Sequence, residues 1–166
     1  MNETYEKEYA PEVRVAQLLI QRGFTVTTAE SCTGGLLAGR LVNAAGISEV
    51  LQEGYITYSN EAKEKLLHVS HQTLETYGAV SEQTALEMAQ GAARQAGAKA
   101  ALATTGIAGP DGGTAEKPVG LVYIGCYVNG VTIVEKHIFA GERTQVRTMA
   151  VETALTLLEQ ALQSVD

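Results

Sequence analysis

FTVTTAESCTGGLLAGRLVNAAG, residues 24–46, changes its local character within a few positions. Phe24 to Thr28 is rich in β-branched side chains and reads as a short strand. Thr33 to Ala45 returns to leucine, alanine and arginine and reads as a helix. Ala29-Glu30-Ser31-Cys32 is therefore a strand-to-helix turn. Before it, Pro11 to Arg22 carries Val15, Leu18 and Leu19 on one stripe, widened by Val13 and Ile20, and stops at Gly23: an amphipathic helix.

The alternation continues outward. Val50 to Tyr58 reads as a strand, Asn60 to Leu67 and His71 to Tyr77 as helices, and Ser81 to Gln95 as a longer helix with Ser81 as N-cap. Lys99 to Thr104 is a strand, followed by the structureless glycine-rich loop Thr105 to Pro118. Val119 to Val128 and Val131 to Phe139 flank Asn129-Gly130, a strong hairpin signal. Gly141 ends the second of these strands, and Glu142 to Ser164 is a long closing helix. Strands alternating with helices make the chain α/β, and the hairpin makes its sheet mixed, with helices on both faces.

The 166 residues form one expected domain spanning 1–166, large enough for a core without metal or disulfide staples. The hydrophobic share of 45% and charged share of 19% are globular values that exclude disorder, collagen and coiled coil. A net charge of −7, no Lys/Arg cluster and 5% aromatics argue against nucleic-acid binding. No apolar run reaches membrane-span length, and MNETYEKEYAPEV shows no apolar leader segment, so a cytoplasmic protein without membrane partners is expected. The two cysteines, Cys32 and Cys126, read as reduced thiols, and no spacing suggests a metal site.

Three stretches hold the polar chemistry. In TTAESCTGG, residues 27–35, Ser31 stands beside two glycines that open a helix, where unpaired N–H groups hold an oxyanion or an anion. Ala29 and Thr33 occupy the places where a G-x-S-x-G elbow has glycines. Ser31 or Thr33 acting only as a helix N-cap accounts for the same residues, and Cys32 is a rival nucleophile. In YITYSNEAK, residues 55–63, Tyr58 and Lys63 fall near one strand end. Since His68, His71 and His137 are poorly placed, a desolvated Lys63 is the candidate base, against a solvated Lys63 paired with Glu61 or Glu64 and against a local Ser59–Lys63 pair. In TGIAGPDGGTAEKP, Gly106, Gly109, Gly112 and Gly113 allow a nest of N–H groups for an anion. Neither a P-loop nor a dinucleotide fingerprint is present.

Together TTAESCTGG, GYITYSNEAK, GIAGPDGGTAEKPVGLVY and the distal GER-x-x-VR resemble the CinA C-terminal domain family from about Val13 to Leu162, most closely its stand-alone nicotinamide mononucleotide amidohydrolases, the NMN deamidases. The resemblance implies a three-layer α/β/α sandwich with a mixed, mostly parallel sheet. It implies hydrolysis of the nicotinamide carboxamide to nicotinate mononucleotide and ammonia in pyridine nucleotide salvage, with Ser31 as nucleophile and Tyr58 and Lys63 as its activating partners. Some relatives carry a further N-terminal catalytic domain, and this chain is expected to lack it. The amides from Thr33 to Gly35 are the expected oxyanion donors, and Glu30, Thr33, Gly34 and Gly35 the expected substrate-binding residues around them. Thr105, Gly106, Ala108 and Gly109, helped by Arg143, are the expected phosphate nest. No cofactor and no metal are expected. The partners are a mononucleotide substrate and further copies of the chain in a homo-oligomer. A non-catalytic nucleotide-binding or competence-associated adaptor and a broader amidase stand as alternatives.

Ser31→Ala is expected to abolish amide turnover with folding intact, because it removes one turn oxygen and no core volume. Cys32→Ala is expected to keep most activity; a reversed outcome in a steady-state ammonia assay moves the nucleophile to the thiol.

Overall fold

The computed structural model describes residues 10–165; residues 1–9, part of the stretch read for a leader, and Asp166 lie outside the described residues. In chain order the elements are α1 (Pro11–Arg22), β1 (Val26–Glu30), α2 (Leu36–Leu41), a 3-10 turn at Ile47–Glu49, β2 (Tyr55–Ile56) and α3 (Asn60–Leu67). They continue with α4 (His71–Tyr77), α5 (Glu82–Ala96), β3 (Ala100–Gly106), β4 (Leu121–Val128), β5 (Val131–Ile138) and α6 (Arg143–Ser164). The five strands form one sheet in the order β2-β1-β3-β4-β5. β2, β1 and β3 run parallel, and β4 and β5 continue the sheet antiparallel, joined through Asn129 at φ 47° and Gly130 at φ 97° as the hairpin signal requires.

The sheet separates two apolar layers by strand alternation. Ala100 and Leu102 of β3 pack with α1, α2 and α6, whereas Ala101 and Ala103 face Leu67, Met88, Ala89 and Ala92 of α3 and α5. The result is an α/β/α sandwich. The helix after β1 lies on one face and the helix after β2 on the other, so their loops diverge at the carboxyl ends of the parallel strands.

Two expected elements are shorter than the sequence suggests. The segment 50–58 pairs only at Tyr55–Ile56, with an isolated bridge from Leu51 to Val26. Between them Thr27 Oγ1 donates to the Glu53 carbonyl at 2.9 Å, a side-chain bond that takes the place of a ladder bond. The helix expected over 33–45 is confined to Leu36–Leu41, because Gly34 and Gly35 enter it with φ of 57° and 101° and are not helical. β1 also runs two residues further than the composition indicates, to Glu30.

Small residues on α5 set how closely α3 can lie. A Cβ on Gly91 would stand 2.0 Å from the Leu67 carbonyl oxygen at the end of α3. Among the described residues no helix is long and apolar enough to cross a membrane.

Gly91→Ala is expected to destabilise the fold by about 2 to 3 kcal/mol, since backbone must move to admit the methyl group. Gly39→Ala, in α2 with open space around its Cβ position, is expected to stabilise by about 0.5 to 1 kcal/mol. Chemical-denaturation midpoints of the two variants check the pair.

Candidate active site

The turn after β1 is held from beneath by a single buried side chain. Glu30 is 0% exposed, and its carboxylate folds back under the turn that follows it. Oε1 accepts from the Thr33 hydroxyl at 2.6 Å, Gly35 N–H at 3.2 Å and Leu37 N–H at 2.8 Å. Oε2 accepts from Ala38 N–H at 3.0 Å and the Thr28 hydroxyl at 3.4 Å. A carboxylate from the preceding strand thus meets the first donors of α2, and neither the Ser31 nor the Thr33 hydroxyl caps that helix. Glu30, expected near substrate, is committed to the turn. Gly35 N–H is taken as well, which narrows the oxyanion donors expected over Thr33 to Gly35 to the Thr33 and Gly34 amides.

Ser31 N–H donates to the Thr104 carbonyl at 2.9 Å, fixing its backbone to β3. Its side chain meets Lys63. α3 begins at Asn60 because the Ser59 hydroxyl accepts from Ala62 N–H at 3.1 Å, and Lys63 turns to other partners than that local serine. Lys63, 1% exposed, donates from Nζ to Ser31 Oγ at 3.0 Å, to the Thr57 carbonyl at 2.7 Å and to the Tyr58 carbonyl at 3.5 Å. Burial lowers the Lys63 amine to about 8, within reach of the neutral form that can take a proton from a hydroxyl. Lys63 is therefore no solvated helix charge.

Cys32 turns into the apolar layer between β1 and α6, 6% exposed, and burial pushes its thiol up to about 11. Two of the histidines are paired elsewhere, His71 with Glu64 and His137 with Glu135. Among the described residues, no group of three or more His, Cys, Asp or Glu side chains could hold a metal ion.

The Tyr58 phenol does not reach Ser31 or Lys63. The residue is 64% exposed, and its hydroxyl oxygen accepts from Arg143 Nη2 at 3.2 Å. Arg143 Nη1 donates to the Gly109 carbonyl at 2.7 Å. Ala108, Pro110, Val119, Glu142, Arg143 and Thr144 are among the residues that line a hollow of about 500 Å³. The glycine loop and the start of α6 therefore meet at Arg143. Thr105 turns its hydroxyl away to the Ala79 carbonyl at 2.7 Å, and Gly106 lies in the sheet, where a Cβ would approach the Leu121 carbonyl oxygen to 2.6 Å.

Sequence reasoning missed Arg147. Its Nε donates to the Cys32 carbonyl at 3.0 Å and its Nη2 to the Thr33 carbonyl at 2.9 Å. The signal lay inside GER-x-x-VR: Arg143 and Arg147 stand at i and i+4, on one face of α6. The capping box of Glu142 and Gln145 fixes where that helix starts and so where both guanidinium groups fall.

Residues 8–162 match the CinA C-terminal domain family, and the chain belongs to it. A CinA-like protein of Kosmotoga olearia is 55% identical over 155 residues, covering 93% of this chain and 38% of the longer protein. A Clostridium botulinum relative is 54% identical over 149 residues, covering 90% of this chain and 36% of its own length. The chain thus spans less than two fifths of these curated relatives. Among solved structures, the competence/damage inducible protein of Agrobacterium tumefaciens is 46% identical with a TM-score of 0.86, over 93% of this chain and 97% of that one. The competence damage-inducible protein A of Klebsiella pneumoniae is 39% identical with a TM-score of 0.91, over 99% and 100%.

A base that must be neutral sets the sign of a pH dependence. Covalent modification of Ser31 by a fluorophosphonate, followed by mass spectrometry, is expected to slow about tenfold per pH unit below the Lys63 value of about 8 and to level off above it. Lys63→Arg is expected to be as slow as Lys63→Ala, because a guanidinium stays protonated.

Proposed function

We propose that the chain is an amidohydrolase that converts nicotinamide mononucleotide to nicotinate mononucleotide and ammonia, in cytoplasmic pyridine nucleotide salvage. The observation that carries this reading is the 3.0 Å contact between the buried Lys63 amine and the Ser31 hydroxyl. A serine beside a lysine that burial keeps near neutrality is a nucleophile with its base.

In the proposed reaction, Ser31 Oγ attacks the carboxamide carbon while its proton passes to Lys63 Nζ. The carbonyl electrons move onto oxygen, which the Thr33 and Gly34 amides stabilise. As the oxyanion collapses, the C–N bond breaks and Lys63 returns the proton to nitrogen, so ammonia leaves and Ser31 holds an ester. Water then attacks the ester and gives one proton to Lys63, which passes it to Ser31 Oγ as the carboxylic acid departs; the acid ionises and its proton is taken up by ammonia as ammonium. No external oxidant, reductant or cofactor enters this sequence. Lys63 stays aimed at Ser31 through the Thr57 and Tyr58 carbonyls.

The phosphate of the substrate is assigned to the hollow beside Ala108, Gly109 and Arg143. Two observations support that choice: Arg143 lies at its wall, and the amide ends around α2 are already engaged by Glu30. Tyr58 acts here through its hydroxyl by holding Arg143 in place.

Ammonia release from nicotinamide mononucleotide, its ribonucleoside and free nicotinamide tests the reading. The mononucleotide is expected to have the highest kcat/KM and free nicotinamide the lowest, with the first step costing at least about tenfold for one charge-assisted hydrogen bond. Arg143→Ala is expected to reduce the preference for the phosphorylated substrate. No ammonia from the mononucleotide with intact binding favours a nucleotide-binding module instead.

A further inference from the structure

Arg147 is not one of the residues that the proposed reaction uses, yet it makes the only guanidinium contacts to the nucleophile turn among the described residues. Its two donors take two successive carbonyls, Cys32 at 3.0 Å and Thr33 at 2.9 Å. Both peptide bonds involved are trans, since the one cis bond among the described residues is Gly109–Pro110. In a trans peptide the C=O and the following N–H lie in one plane and point in opposite directions. Drawing the Cys32 carbonyl toward Arg147 therefore turns the Thr33 N–H away from it. Drawing the Thr33 carbonyl the same way turns the Gly34 N–H away as well. Arg147 belongs to α6, on one face of the sheet, and Lys63 belongs to α3, on the opposite face. The two N–H groups are thus turned from the α6 layer, on the side from which Lys63 reaches Ser31.

We infer that Arg147 is the positioning residue of the oxyanion hole, setting through two peptide planes the direction of the Thr33 and Gly34 donors. The inference rests on Ser31 being the nucleophile, but it does not depend on which amide the protein hydrolyses. The Thr33 carbonyl also accepts from Leu36 N–H at 3.2 Å, so Arg147 shares the hold on that plane. At the Cys32 carbonyl Arg147 is the partner that fixes the plane, in a turn whose glycines at φ 57° and 101° are conformationally permissive. A guanidinium suits the task because its planar fork holds two acceptors at once, which an ammonium cannot do with the same geometry.

The test is the rate at which a fluorophosphonate modifies Ser31 in the purified full chain, measured across pH for wild type, Arg147→Ala and Arg147→Lys. In this reaction the Ser31 Oγ–P bond forms, fluoride leaves, and the phosphoryl oxygen takes the oxyanion position. The plateau rate of Arg147→Ala is expected to fall about 10- to 100-fold, less than the loss of a donor outright, because both amides remain and the Thr33 carbonyl keeps its bond from Leu36 N–H, while the Cys32–Thr33 plane loses its anchor. The midpoint of its pH profile is expected to stay at the wild-type value, showing Lys63 undisturbed. Millimolar guanidinium ion is expected to restore part of the rate, and Arg147→Lys to restore little. An unchanged plateau in Arg147→Ala overturns the inference. So does a shift of plateau and midpoint together, which makes Arg147 a general support of the fold. If wild-type Ser31 fails to react, the nucleophile and this inference fall together. If it reacts but releases no ammonia from nicotinamide mononucleotide, the substrate assignment fails and the role of Arg147 stands.

Discussion

The Glu30 carboxylate under the turn after β1 is the interaction on which the rest of the site depends. Placing a carboxylate where it has no exposure costs several kcal/mol unless donors surround it, and here two hydroxyls and three backbone N–H groups do so. Those N–H groups include the first donors of α2, so the group that stabilises the buried charge also starts the helix. With Glu30 doing this work, the chain can leave the strand sharply at Ser31 without using the Ser31 hydroxyl as a cap. The hydroxyl is left for Lys63.

The second half of the site comes from the other face of the sheet. Lys63, 1% exposed, stands on α3, whose end lies close against α5 at Gly91, where a Cβ would meet the Leu67 carbonyl oxygen. The lowered pKa of the amine follows from burial, and not from a charged neighbour. α6 completes the arrangement from the first face with two arginines, one at the glycine loop and one at the turn after β1. Each of the three layers supplies something that the others cannot reach.

Much of this was legible in the residues. Strand and helix alternation gave the architecture, Asn129-Gly130 the hairpin, and the three long stretches with GER-x-x-VR the family. What escaped reading has a common physical cause: it depends on contacts between segments far apart in the chain. Glu30 looks like a substrate ligand until its side chain is seen to fold under its own turn. Tyr58 carries its phenol toward Arg143, 85 positions away, and leaves only a carbonyl near Lys63. Arg147 bonds backbone 114 to 115 positions earlier, and the i, i+4 spacing within GER-x-x-VR marks it as sharing a helix face with Arg143 but does not say which distant carbonyls it meets.

The two cysteines gain a practical meaning from their burial. Cys32 and Cys126 are 6% and 1% exposed, and burial holds their thiols at about 11 and about 12. Burial both shields the sulfurs and keeps them as thiols at neutral pH, so maleimides and peroxide meet little reactive sulfur in the folded chain. A cysteine introduced on the surface would then be the one readily labelled thiol, and a fluorophore or spin label could report on motions near Ser31 without first removing the native pair.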